Sequence, residues 1–356
     1  MERKTRNYGI DVLKIIATLF VVVLHINGFV YDTFVEMKPS VDFLWHLLEA
    51  IAYPAIHIFV MITSWFALEK IKVIKSILTV WIQTLVICIL GVVIAVCLKI
   101  PIGVKELFSS FFPFVGRAYW YVTDYILLII LAPVLNIIIA ELTSKKLIAL
   151  TGTLFISFSM FPWFFTSFGW NQDYSNIALF ILLYFLTAVV KNNIQYISKK
   201  LVCGSWIFSI IILLGSYETL SLLTRYVHPV FGNKTMYFYQ YNSPFVILEA
   251  MSIFIVFFKS EIYFTRKWII KIIRLMVNAS LCVYLIHMHP IFKEKYVSFG
   301  FFTWINVKNV WIYLAEVIVL MVFIYFIGAI LSIPIKKISD SLGRNINVIL
   351  KRKIEL

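Results

Sequence analysis

The sequence predicts an all-α polytopic membrane protein of about ten transmembrane helices. Three observations carry this reading. Hydrophobic residues make up 62% of the 356-residue chain and charged residues 14%, with a mean hydropathy of +0.92, whereas soluble domains are about a quarter charged. The apolar residues come in continuous runs close to the roughly 20 positions a helix needs to cross a bilayer core, and they lack the two-residue alternation of a barrel strand. The net charge of +14 is spread as short basic clusters between the runs. That is the pattern of a protein whose partner is a lipid bilayer and not a nucleic acid.

Taken in order, the spans are 10–30, 43–68, 73–98, 119–140, 147–167, 176–190, 204–223, 243–258, 274–292 and 309–331. The first is longer than a signal-peptide core and no small-x-small cleavage site follows, so it reads as a retained helix. The second contains Pro54, and the sixth and eighth are short; neighbouring helices can satisfy the backbone groups such segments free. Residues 1–335 form one membrane domain, and 336–356 a basic cytoplasmic tail lying at the surface. Of the 32 Lys and Arg, 21 fall at the N-terminus, in the even-numbered loops (with Lys75, just inside the third span, counted with its loop) and in the tail, against 9 in the other loops. Both termini are therefore expected in the cytoplasm. Cys88, Cys97, Cys203 and Cys282 lie in or beside apolar runs without metal-ligand spacing and read as packing residues.

The first span, IDVLKIIATLFVVVLHINGFV, carries Asp11, Lys14 and His25. Lys14 and His25 are eleven positions apart, three whole turns, so they point the same way about 16 Å apart. Asp11 and Thr18 lie near the same stripe. Such a stripe belongs against a bundle interior or a water-filled cavity, where ionisable groups usually work. Asp11 and Lys14 also fit a headgroup-level, snorkelling position. In the second span, His57 reads as a buried, satisfied histidine and His46 as interfacial. The following loop holds Lys72-x-x-Lys75, which fits either attraction of a phosphorylated ligand or ordinary inner-face charge. The fourth span opens AYWYVTDY, an aromatic belt on composition alone. No P-loop, dinucleotide turn, His-Glu-x-x-His or Cys-x-x-Cys is present.

Lys14 followed by ten residues and His25, with Asp11 before it, resembles the basic-x10-His signature of the membrane acyltransferase-3 family. Five more elements follow in family order. Phe59-Val-Met-Ile-Thr63-Ser64-Trp65 resembles Phe-Φ-Φ-Φ-Ser-Gly-Φ (Φ, apolar or aromatic), with Thr-Ser in place of Ser-Gly. Lys72-x-x-Lys75 stands where the family often has Arg-x-x-Arg; Lys keeps the charge but not the bidentate fork. Trp120-Tyr121, Tyr125, Pro133 and Asn136 resemble the opening of the family's fourth helix. Tyr241 to Glu249 resembles the approach to the eighth helix, and Tyr284-Leu285-Ile286-His287 the end of the core. His287 and His289 fall at a depth comparable to His25, which suggests a shared cavity.

The resemblance implies a fold of this kind and an acyltransferase that moves an acyl group, usually acetyl from acetyl-CoA, to a hydroxyl of an envelope or exported polysaccharide. It implies no permanently bound cofactor and no metal. The partners it implies are acetyl-CoA and a glycan or lipid-linked glycan, at the cell's inner or plasma membrane. His25, Lys14, Asp11 and His287 become catalytic candidates, with His25 as general base or transient acyl carrier. Lys72 and Lys75 become donor-binding candidates, and Arg117, Trp120, Tyr121, Asp124 and Tyr125 acceptor-binding ones. The same polar residues would also suit a transporter or flippase of a lipid-linked saccharide, or a membrane sensor. The acceptor sugar, the acyl chain and the oligomeric state stay open.

Overall fold

The computed structural model describes residues 7–34, 36–116, 119–165 and 177–354. These are predominantly helical, with no strand among the described residues. The helices are α1 (Gly9–Thr33), α2 (Pro39–Ala52), α3 (Ala55–Ala67), α4 (Val73–Cys97), α5 (Val104–Phe111), α6 (Trp120–Glu141), α7 (Ser144–Phe155), α8 (Phe161–Phe164), α9 (Ile177–Asn193), α10 (Lys199–Tyr226), α11 (Pro244–Phe258), α12 (Lys267–His287), α13 (Lys293–Ser298) and α14 (Val310–Ile354). Among the described residues, nine helical segments are long and apolar enough to cross a membrane, and the 15-residue α11 is a shorter apolar tenth.

The helix α1 sits at the centre, touching α2, α3, α11, α12, α13 and α14. Its N-terminal half, through Leu13 and Ala17, joins a core shared with α3, α6, α9 and α11. Its C-terminal half, through Val22, Val23, Ile26 and Val30, joins a second core with α12 and α14. A helix apolar on most of its circumference is expected at such a position, and Lys14 and His25 of its polar stripe line cavities.

Several expected boundaries shift, each for a local reason. The second span is two helices, α2 and α3, because Pro54 has no N–H to continue the ladder. The fifth runs Ser144–Phe164, with a π-helical stretch over Ile156–Met160 joining α7 to α8. The seventh extends over Lys199–Tyr226. The ninth begins at Lys267 and ends at His287, where Met288 leaves the helix ahead of Pro290. The tenth does not stop before the tail: α14 continues to Ile354, through Pro334. It continues because α4 offers it a surface, burying Ile335 and Ser339.

Close helix approach comes from glycine where it matters. A Cβ on Gly328 of α14 would lie 2.9 Å from the Val283 Cα of α12, so these backbones touch. The four cysteines are free, with Cys88 and Cys282 buried.

Candidate active site

The first-helix histidine meets a partner far along the chain. His25 Nδ1 lies 2.8 Å from His287 Nε2, and His287 Nδ1 lies 2.6 Å from the Val283 carbonyl oxygen. A carbonyl only accepts, so His287 carries its proton on Nδ1 and offers Nε2 as an acceptor. His25 must then donate from Nδ1. In the neutral dyad this leaves the lone pair of His25 Nε2 unspent, the arrangement a general base requires. Tyr284 packs against both rings, 6.2 Å from each by ring centroid. It is fixed in turn by Tyr119, whose hydroxyl donates to the Leu285 carbonyl at 2.6 Å.

His25 and His287 line a cavity of about 400 Å³, within the range of small-molecule sites. Its wall is aromatic, with Tyr53, Phe59, Tyr119, Trp120, Tyr121, Tyr125, Tyr241 and Tyr284. Its charged members are Lys14, Glu49 and Lys293. A second cavity of about 780 Å³ lies toward the N-terminal end of α1, lined by Asn7, Asp11, Lys14, Lys70, Lys72 and Ser76 among others. Lys14, Thr63 and Tyr125 line both cavities, so the two meet at these side chains. A basic groove with Lys70, Lys72 and Lys75 adjoins them, again touching Tyr125.

The sequence-expected residues are thus distributed as follows. His25, His287, Lys14, Trp120, Tyr121 and Tyr125 share the aromatic cavity, and Asp11 joins Lys14 at the second. Lys72 faces the second cavity and Lys75 the adjoining groove. Asp124 is buried at 2% exposure and is absent from the cavity wall. Arg117 lies outside the described residues.

The expectation that His289 shares the cavity with His287 is corrected. Its ring packs against Gly91 of α4, where a Cβ would lie 2.1 Å from His289 Nε2. Termination of α12 at His287 is the cause, since the turn sends the next side chains elsewhere. His46 is buried, stacked on Tyr217, with Nδ1 donating to the Asp42 carbonyl at 2.8 Å. His57 is buried, and its Nε2 reaches the Tyr241 carbonyl at 2.7 Å.

Sequence reasoning missed Glu49, Lys293, Tyr53 and Thr63 as wall residues. For Glu49 the signal existed, a lone carboxyl inside an apolar span. Lys293 opens the short α13, just past the turn that ends α12, where a basic residue raises no flag.

Compared with known proteins, the chain matches the family model described as an acyltransferase domain over residues 7–335. No curated protein and no solved structure matches it. With that match spanning nearly the whole chain and apolar helices that suit a bilayer, the protein belongs to the acyltransferase-3 family of multi-pass membrane acyltransferases.

Proposed function

We propose that the protein transfers an acetyl group from cytoplasmic acetyl-CoA to a hydroxyl of an envelope or exported polysaccharide. The observation that carries this reading is the pairing of an unspent imidazole nitrogen with two adjoining cavities, one basic and one aromatic. Lys70, Lys72 and Lys75 suit the phosphates of coenzyme A as point charges, with its acyl arm extending past Lys14, Thr63 and Tyr125 toward His25. The aromatic wall suits a sugar ring. Both termini are placed in the cytoplasm by the basic-residue bias, 21 against 9. The second cavity, which includes Asn7 and Asp11 at the start of α1, then opens inward.

In the reaction, His25 Nε2 takes the proton of the acceptor hydroxyl as that oxygen adds to the thioester carbonyl carbon. The tetrahedral intermediate collapses, the C–S bond breaks, and the thiolate recovers the proton from His25. The products are an acetyl ester and free coenzyme A. Neither dyad nitrogen has a proton left to polarise the carbonyl, so the electrophilic role falls to Lys293, a cation on the same cavity wall as His25.

Purified protein should release coenzyme A in proportion to glycan acetylated, read by thiol titration and mass spectrometry. His25→Gln should keep expression and folding while losing about 10²–10⁴-fold in rate, the usual size of general-base catalysis. A flippase would move saccharide without consuming thioester. Near wild-type acetylation by the His25→Gln protein removes His25 from the mechanism.

A further inference from the structure

Glu49 is 6% exposed and lines the same cavity as His25. One carboxyl oxygen is anchored: Oε1 accepts from Asn27 Nδ2 at 3.1 Å. Asn27 is itself spent, accepting from the Tyr313 hydroxyl at 2.9 Å and donating to the Trp45 carbonyl at 3.3 Å. Trp45 closes the group by donating from Nε1 to the Asn27 carbonyl at 3.0 Å. Among the described residues no Lys or Arg pairs with Glu49. The network therefore fixes the carboxyl at the cavity wall.

A strip of rings begins one turn away. Tyr53, four residues after Glu49, lies 5.2 Å by centroid from Tyr241, which lies 5.5 Å from Trp120. All three line the cavity. A carboxyl beside flat aromatic faces answers the two surfaces of a saccharide: hydroxyl donors at the ring edge and apolar C–H groups on its face. A carboxylate or phosphate on the ligand at that point would lose its water with no cation paired at Glu49 to compensate it.

We infer that Glu49, Tyr53, Tyr241 and Trp120 form an acceptor subsite for an uncharged sugar ring, with Glu49 accepting from a hydroxyl that is not the one acylated. The inference rests on the acetyl-transfer reading, because it assigns the neighbouring hydroxyl to His25.

The test uses full-length protein in nanodiscs, neutral hexose oligosaccharides and uronic-acid oligosaccharides of matched length. Binding is followed by tryptophan fluorescence without any donor, and turnover by coenzyme A release. Glu49→Gln, which can still accept from Asn27, should weaken neutral-oligosaccharide binding about tenfold. It should raise the acceptor KM similarly while the KM for acetyl-CoA stays put. Tyr241→Ala should act like it, and Tyr241→Phe should retain binding, since the ring face and not the hydroxyl is used. Uronate binding as tight as neutral binding overturns the inference, as does unchanged neutral binding by Glu49→Gln together with a lowered Tm, the mark of a strut alone. Loss of neutral-sugar binding in Glu49→Gln when even wild-type protein releases no coenzyme A would uphold the subsite while sinking acetyl transfer.

Discussion

His25 and His287 divide one task. His25 offers Nε2 to the cavity, and His287 holds the other side of that ring through Nε2 while Val283 fixes its own tautomer. His287 is thus a positioning residue, and its removal should leave the His25 Nδ1 proton without an acceptor and let the base reorient. His287→Ala is expected to lower kcat by about tenfold or more, less than the loss at His25, with the KM for acetyl-CoA unchanged. His287→Gln, whose side-chain oxygen can accept, should recover part of the loss. A His287→Ala protein at wild-type kcat would reduce the residue to packing. At this scale the spacing of Lys14 and His25 was legible, because helical periodicity alone puts them on one stripe. Their pairing with His287 was not, since 262 residues separate the two histidines. It surfaced through the likeness of Tyr284 to His287 to a known family and through the comparable depth of the two histidines in their spans.

Elements set these side chains by where they stop and how closely they pass. Were α12 to run on past His287, the turn that brings Lys293 to the cavity wall would be lost. The sequence showed an apolar run with Pro290 inside it, and hydropathy does not register where the ladder of hydrogen bonds gives out. The long α14 was likewise hidden, because charged residues past 335 read as surface tail while Ile335 and Ser339 are in fact packed. The motif residue Asn136 proves to be a tie between elements: it donates to the Ala67 carbonyl at 2.9 Å and accepts from the Tyr184 hydroxyl at 2.7 Å, joining α6 to the end of α3 and the middle of α9. The contact of α14 with α12 supports the dyad most directly. Gly328 meets the backbone of Val283, the residue whose carbonyl orients His287. Gly328→Ala has nowhere to put its Cβ and is expected to cost about 1–3 kcal/mol by overpacking, seen as a lowered Tm, and to depress kcat through the displaced carbonyl. An unchanged Tm would show that the two helices part without penalty.

At the scale of the whole molecule, the charge pattern and the two cavities bear on one question, which face receives the donor. The count of spans was legible because composition alone demands burial in lipid, and even the short Pro244–Phe258 helix was expected. The joining of two cavities at Lys14, Thr63 and Tyr125 was not, because it depends on α1, α3 and α6 converging. Of the lysines of the basic groove, Lys70 and Lys72 lie in the loop before α4 and Lys75 in its first turn, at the end the basic-residue bias puts inside. Glu106 and Lys295, paired at 3.0 Å, tie α5 to α13 at the opposite end. Exposed lysines in two loops test this arrangement: Lys105 on α5, and Lys145 at the start of α7. With Cys88, Cys97, Cys203 and Cys282 replaced by Ser, Lys105→Cys should react with a membrane-impermeant maleimide in intact cells. Lys145→Cys should react only after the membrane is opened. The reverse pattern would turn the protein over, place the lysines of the groove outside, and deny a cytoplasmic thioester its route to His25.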